Sequence, residues 1–122
     1  MTKQALILFA HGARAASWAA PFERLRDLTR TRLPDTRVEL AFLELMSPRL
    51  PEMVADMATQ GIADVTVVPV FLGQGGHVLR DLPLMVEQLR IDHPQLAFKV
   101  VGAAGEDPAV LGAITDYCVN SL

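Results

Sequence analysis

Four short apolar runs alternate with longer segments of helical periodicity along the chain, and this alternation restricts the possible folds most strongly. Residues 5–10 are apolar throughout, as is typical of a strand that is covered on both faces. The other predicted strands are residues 38–43, 64–72 and 97–101. A βαβαβαβα order with connections of this length predicts an α/β protein in which right-handed crossovers join parallel strands.

The helical segments carry terminal signals that predict where each helix begins and ends. The first helix spans residues 17–33, and the second has Ser47 as N-cap, Pro48 at its first position and Gly61 as C-cap. A third helix follows the glycine cluster at 73–76 and ends near residue 93, and Asp107 with Pro108 opens the last one. The apolar residues on one side of the last helix are Val110, Leu111, Ile114 and Cys118.

Length and composition indicate a single domain of residues 1–122 with a real hydrophobic core. The chain is 51% hydrophobic and 20% charged, which argues against a disordered binder. A net charge of -3 argues against nucleic-acid or anionic-membrane partners, which require a basic surface. Cys118 has no second cysteine to pair with, and we see no signal peptide or membrane span, so we expect a cytoplasmic protein.

Three polar side chains follow three of the predicted strands. We predict a doubly wound, four-stranded parallel sheet of flavodoxin-like order 2-1-3-4 with helices on both faces, in which ligands bind where the winding reverses, between strands one and three. His11 ends strand one, and His77 ends the glycine cluster after strand three. Glu44 ends strand two, beside strand one. The topology therefore predicts that two imidazoles and a carboxylate meet at one edge of the sheet.

This residue set leaves two chemical roles open. Two histidines and a glutamate can bind a divalent transition metal, or they can act as acid–base groups, since an imidazole titrates near neutral pH. A single histidine at a strand end is more often an ordinary loop residue, but the joint placement of both beside glycine favours function. His93, which precedes Pro94 at a helix end, is interpreted as a helix C-terminal charge, and Met53 and Met57 as core residues.

Other common site motifs do not match the sequence. The glycine cluster at 73–76 is neither a G-x-G-x-x-G fingerprint nor a P-loop, because no G-K-[ST] follows it. The G-x-S-x-G turn of serine hydrolases is missing. A histidine phosphatase requires an arginine before its His-Gly pair, and Ala10 occupies that position.

Several segments together resemble the small CbiX-type class II chelatases, the sirohydrochlorin cobalt-, nickel- and iron-chelatases. They are residues 10–14 (AHGAR), 42–45 (FLEL) with Ser47-Pro48, 68–72 (VPVFL), 75–78 (GGHV) and 81–83 (DLP). The segments occur in the family's order and span nearly the whole chain. Ala13 departs from the common His-Gly-Ser-Arg pattern, which removes a hydroxyl but no metal ligand. The resemblance implies a chelatase-like half-domain that pairs into a homodimer.

The resemblance also implies a reaction and a set of roles. A divalent metal, with Co²⁺ expected and Ni²⁺ or Fe²⁺ as alternatives, is inserted as a substrate into sirohydrochlorin or a related tetrapyrrole, without an organic cofactor. His11 and His77 bind the metal and help remove pyrrole protons, and Glu44 is a third ligand. The candidate tetrapyrrole contacts are Arg14, Met46, Gly75, Gly76 and Arg80. Guanidinium groups pair well with carboxylates, and a glycine loop lets the backbone approach a ligand.

Two other functions are compatible with the same residues. A metal or tetrapyrrole carrier could keep the site without turnover, and multiple turnovers under excess substrate would exclude it. A purely structural α/β domain with incidental histidines would show no metal-dependent change in melting temperature, whereas a ligand that binds the native state raises it.

Overall fold

The computed structural model describes residues 3–73 and 75–122, without the side chains of residues 77 and 79. The strands are β1 (Gln4–Ala10), β2 (Arg37–Phe42), β3 (Asp64–Pro69) and β4 (Ala97–Val100). The α-helices are α1 (Ala20–Arg32), α2 (Leu50–Thr59), α3 (Gly76–Asp92) and α4 (Pro108–Asn120). Short 3₁₀ helices, Ala16–Ala19 and Ala104–Glu106, precede α1 and α4.

The four strands form a parallel sheet of order β2-β1-β3-β4, which confirms the predicted topology. In this register Ile7 lies between Glu39 of β2 and Val67 of β3. The carboxyl ends of β1, β2 and β3 therefore lie together at one edge of the sheet. The winding reverses between β1 and β3, where a doubly wound sheet usually binds its ligand.

One face of the sheet carries the main hydrophobic core beneath α2 and α3. Ile7, Phe9 and Val67 are fully buried there, together with residues of both helices. Met53 and Met57 belong to this core, so their interpretation as core residues is confirmed. α2 ends at Thr59 with Gln60 as its C-cap, so Gly61, which the sequence predicted as C-cap, lies one residue later. The φ of Gly61 is 76°, a value readily available only to glycine.

The opposite face is covered on one half only. Leu8, Leu40 and Phe42 pack against Trp18 and Phe22 of the α1 region, above β1 and β2. Among the described residues, no side chain of α4 is buried, so the apolar side predicted for this helix remains exposed. None of the helices in the described part of the chain combines the length and hydrophobicity that a membrane span needs.

Two sequence predictions about element boundaries are wrong. The helix predicted to begin at Pro48 begins at Leu50, because the Pro48 carbonyl accepts a hydrogen bond from Phe42 N–H at 2.9 Å and therefore faces the strand. Ser47 is consequently not an N-cap. β3 ends at Pro69 rather than at residue 72, because the carbonyl of Phe71 accepts from Gly105 N–H at 2.7 Å instead of pairing within the sheet.

Candidate metal-handling site

The structure brings His11 and Glu44 into direct contact. The Nε2 atom of His11 lies 3.0 Å from the Oε1 atom of Glu44, and both side chains are part-exposed. Their backbones are also joined, because Glu44 N–H donates to the His11 carbonyl at 3.1 Å and Leu43 N–H donates to the Ala10 carbonyl at 2.9 Å. The pairing of β1 with β2 thus continues past the strand ends and holds the two side chains next to each other, as the topology predicts.

Gly12 makes this contact possible. Its φ is 98°, in the left-handed region that favours glycine. A Cβ atom at this position would lie 1.8 Å from the Glu44 carbonyl oxygen. Any other residue at this position would separate the loop after β1 from the loop after β2. The glycine after His11 therefore has a steric role that could not be predicted from the His-Gly pair in the sequence.

The loop after β2 presents an apolar side chain beside this pair. Leu45 has a φ of 67°, which is unusual for a non-glycine residue and points to a local constraint. Its side chain is 57% exposed. Met46 instead packs, half-buried, against the smaller core cluster that includes Phe42. The sequence contained no signal for the left-handed backbone at Leu45.

His77 is the second residue of α3 and is not part of a loop. The loop before α3 therefore ends at Gly75, one residue earlier than the cluster of glycines in the sequence. Gly75 has extended backbone at the N-cap, without a side-chain cap, and Gly76 begins the helix. The imidazole of His77 lies outside the described atoms, so its approach to His11 stays a prediction. Among the side chains that are described, no three His, Cys, Asp or Glu residues form a metal-binding group.

The two predicted arginine contacts are both at the surface. Arg14 follows the His11-Gly12 turn and is exposed. Arg80 lies in the first turns of α3, and its Nε atom is 3.7 Å from the Oδ1 atom of Asp81. Both guanidinium groups are accessible to an anionic ligand that approaches the carboxyl edge of the sheet.

A second polar cluster lies at the start of β2, away from this edge. Burial acts to lower the pKa of Arg37, but its hydrogen bonds to Asp56 at 2.7 Å and Glu39 at 2.8 Å raise it above the ordinary value. Arg37 also donates to the Gln60 side chain at 2.7 Å. This network ties β2 to α2, and its place at the amino end of the strand assigns it to stability.

Comparison with known proteins assigns the chain to a family. The CbiX family model matches residues 5–119, nearly the whole chain. The chain belongs to the CbiX family. One relative is the sirohydrochlorin cobaltochelatase of Methanopyrus kandleri, which is 34% identical over 82 residues. That alignment covers 67% of this chain and 57% of the relative, so the chain spans less than two thirds of the relative's length.

Two solved structures of other proteins share the fold. A cobalamin (vitamin B12) biosynthesis CbiX protein from Marinobacter aquaeolei VT8 has a TM-score of 0.86 and 32% identity, over 97% of this chain and 96% of that one. The sirohydrochlorin chelatase SirB from Bacillus subtilis subspecies spizizenii, solved with cobalt, has a TM-score of 0.75 at 22% identity. That match covers 84% of this chain and 44% of SirB and shows a common fold.

Proposed function

We propose that this CbiX-family chain acts as one chelatase domain, residues 1–122, that inserts a divalent metal into sirohydrochlorin or a related tetrapyrrole. The expected metal is Co²⁺, with Ni²⁺ and Fe²⁺ as alternatives, and the pathway is of the cobalamin or siroheme type. The observation that carries the proposal is the contact between His11 and Glu44 at the carboxyl edge of the sheet. The cobaltochelatase named among the relatives and the cobalt-bound SirB support the choice of metal.

The His11–Glu44 geometry suits a metal ion that must be released again. Two ligands that lie about 2.1 Å from an octahedral ion and share an edge are about 3.0 Å apart. The Nε2–Oε1 distance is 3.0 Å. The pair could therefore bind one ion in place of their shared hydrogen, while His77 and water complete the coordination. A partly exposed site with so few protein ligands favours transfer over permanent binding.

Insertion exchanges two pyrrole N–H protons for the metal, so the site must also accept protons. The His11 imidazole has a ring nitrogen that can accept one of these protons, and the contact with Glu44 orients the ring. When the metal moves from the side chains to the pyrrole nitrogens, His11 and Glu44 regain the capacity to bind a proton. The protons then leave to solvent, because both side chains are part-exposed.

The surroundings of the pair fit a flat, polyanionic macrocycle. Leu45 offers an exposed apolar contact, and the half-buried Met46 follows it in the same loop. Arg14 and Arg80 are accessible to peripheral carboxylates. Gly75 and Gly76 place the first N–H groups of α3 at the same edge, where a carboxylate is favoured.

Three further features complete the proposal. The metal is a substrate, and we expect no organic cofactor. We place the protein in the cytoplasm, because its lone Cys118 is what a reducing compartment allows, and we expect no nucleic-acid or membrane partner. Two chains are proposed to form a homodimer, as the resemblance to the family implies for a half-size chain, and this chain matches only 44% of the length of SirB.

The test is Co²⁺ insertion into sirohydrochlorin, followed by absorbance under excess substrate. Replacing His11 or His77 by alanine should slow insertion by about 10² or more, because each change removes a group that transfers the metal or its protons. Glu44→Gln should slow it less, since an amide oxygen still accepts hydrogen bonds. His93→Ala, which changes the remaining histidine at the end of α3, is the matched control and should leave the rate unchanged.

Two results would contradict the proposal. If His11→Ala or His77→Ala inserts Co²⁺ as fast as the parent chain, these histidines do not handle the metal. If the parent chain converts no more than one substrate molecule per site, it is a carrier of metal or tetrapyrrole rather than an enzyme.

A further inference from the structure

The peptide unit between Leu43 and Glu44 is held by hydrogen bonds at both of its polar groups. Its N–H, which belongs to Glu44, donates to the His11 carbonyl at 3.1 Å. Its carbonyl, which belongs to Leu43, accepts from the Nε atom of Arg49 at 3.3 Å. The plane of this peptide carries the Cα atom of Glu44, so it limits the directions that the Glu44 side chain can take. The two bonds therefore fix this plane from opposite sides.

The Leu43 carbonyl lies where a hydrogen-bond partner is needed. Leu43 is 4% exposed and belongs to the main hydrophobic core, and a buried backbone carbonyl without a partner destabilises a fold. The N–H of Leu43 is paired with the Ala10 carbonyl of β1 at 2.9 Å. The Arg49 side chain pairs the carbonyl of the same residue, and it therefore extends the hydrogen bonding of β2 past the end of the strand.

Arg49 occupies a helix position at which its side chain has no capping role. It is the N-cap residue of α2, with extended backbone and without a side-chain cap hydrogen bond. The residues preferred at an N-cap are Ser, Thr, Asp and Asn, whose side-chain oxygens accept from the helix N–H groups. A guanidinium group has donors only. The side chain of Arg49 instead turns back to the end of β2, which indicates a role at the loop before the helix.

The backbone of Arg49 is anchored, so its side chain acts from a fixed point. The Arg49 N–H donates to the Oε1 atom of Glu52 at 3.3 Å. The carbonyl of the preceding Pro48 accepts from Phe42 N–H at 2.9 Å, which brings the start of α2 against the end of β2. The loop of residues 43–48 is therefore closed at its base, and the glutamate of the metal-handling pair lies next to this closure.

We propose that Arg49 is a positioning residue for Glu44, and that its side chain holds the Leu43–Glu44 peptide so that the carboxylate stays within reach of the His11 imidazole. Without the guanidinium, the peptide keeps only its bond to His11 and can rotate about it. The Nε2–Oε1 distance of 3.0 Å is then no longer fixed. The inference deepens the function proposed above and rests on its His11–Glu44 pair, but the positioning can be measured without metal.

The first measurement follows the His11 ring in metal-free protein by nuclear magnetic resonance. Histidine is labelled with ¹⁵N, and the ring signals of His11 are those that disappear in His11→Ala. Glu44→Ala defines the shift of these signals that the loss of the carboxylate produces. Arg49→Met keeps a side chain of similar shape without a donor, and Arg49 is exposed, so the variant should fold. At one fixed pH it should move the His11 signals in the same direction as Glu44→Ala.

Glu52→Ala is the matched control for this measurement. It removes the hydrogen bond to the Arg49 N–H at the same helix start and leaves the bond to Leu43, so the His11 signals should stay at their parent positions. Equal shifts in Glu52→Ala and Arg49→Met would overturn the proposal, because the arginine would then act only by stabilising the start of α2. Unshifted His11 signals in Arg49→Met would also overturn it.

The second measurement is a double-mutant cycle on the rate of Co²⁺ insertion into sirohydrochlorin at saturating substrate. Arg49→Met should lower this rate about fivefold, as expected for the loss of one hydrogen bond that positions a ligand. In the Glu44→Ala background the same change should have no further effect, because no carboxylate is left to position. Equal factors in the two backgrounds would overturn the proposal, since Arg49 would then act independently of Glu44.

The two measurements also separate this inference from the proposed function. A parent chain that inserts no Co²⁺ would refute the chelatase proposal, whereas the His11 signals of Arg49→Met would still decide the positioning role. A parent chain that inserts Co²⁺, together with unshifted His11 signals in Arg49→Met, would refute the positioning role and leave the chelatase proposal intact.

Discussion

Replacing Gly12 by alanine tests the steric basis of the His11–Glu44 contact. Two separate effects act at this position: the φ of 98°, which disfavours any side chain, and a Cβ that would lie 1.8 Å from the Glu44 carbonyl oxygen. The chain offers glycines that separate the two effects. Gly61 has a φ of 76°, and a Cβ there would meet only the Lys3 Nζ atom, at an ordinary contact distance of 3.9 Å. Gly105 has a close contact with Leu72 without a positive φ. Gly102 has neither feature.

The expected losses of unfolding free energy follow from these differences. An alanine in the left-handed region destabilises the folded state by about 1–2 kcal/mol. It also restricts the unfolded chain, which stabilises the folded protein by about 0.4–1 kcal/mol. Gly61→Ala should therefore lose about 1 kcal/mol. In Gly12→Ala the Cβ must also move away from Glu44, which breaks the hydrogen bonds donated by Leu43 and Glu44 N–H. At about 1 kcal/mol for each bond, the total loss is about 3 kcal/mol.

The other two variants complete the comparison. Gly105→Ala should lose about 2 kcal/mol or more, because its Cβ meets the Leu72 backbone and its hydrogen bond to Phe71 is strained. Gly102→Ala should stay within about 0.5 kcal/mol of the parent. The assay is equilibrium urea unfolding of metal-free protein at one fixed protomer concentration, since association would otherwise change the apparent stability.

The order of the four losses decides the outcome. If Gly12→Ala loses no more than Gly61→Ala, the close approach to Glu44 does not constrain the site, and the steric reasoning is refuted. The same variant should also slow Co²⁺ insertion more than Gly61→Ala does, because Gly12 adjoins His11 and approaches the Glu44 backbone, whereas Gly61 does neither.

Two further predictions concern stability. Arg37→Met should lower the free energy of unfolding in urea by about 1–2 kcal/mol, because it removes the guanidinium between Glu39 and Asp56. The control, Arg24→Met on the exposed side of α1, should change this free energy little. Equal losses in the two variants would contradict the role of the network. Asp107→Ala should lower the free energy of unfolding by about 1 kcal/mol, because it removes the N-cap of α4. Asp107→Asn keeps an acceptor oxygen and should retain most of this stabilisation. Circular dichroism at 222 nm checks the helix content of both variants.

Much of the fold and part of the site could be predicted from local patterns. The non-alternating apolar run of β1 and the helical spacing around Met53 and Met57 are properties of single segments, and their assignments are confirmed. The strand order was predicted from the flavodoxin-like arrangement of doubly wound sheets, and this order brought His11 and Glu44 together. A glycine near the end of α2 was also predictable, since many helices end with a glycine of positive φ just after the C-cap, as Gly61 does.

Features that depend on contact with a second segment of the chain could not be predicted from the sequence. Ser47 and Pro48 carry a helix-start pattern, yet Pro48 bonds to Phe42 of the preceding strand, and that tertiary contact overrides the local signal. The steric demands at Gly12 and Gly105 come from Glu44 and Leu72, which are more than 30 residues away in each case.

The amino-acid sequence by itself therefore determined the elements, their order and the edge of the sheet where His11 and Glu44 meet. The tertiary structure decided how closely the loops at that edge approach, and it decided that α4 has no buried side chain among its described residues. The physical reason is the distance along the chain over which each effect acts. Periodicity and capping act within one or two helical turns, whereas a close approach, or an uncovered face, exists only between segments whose positions the whole fold sets.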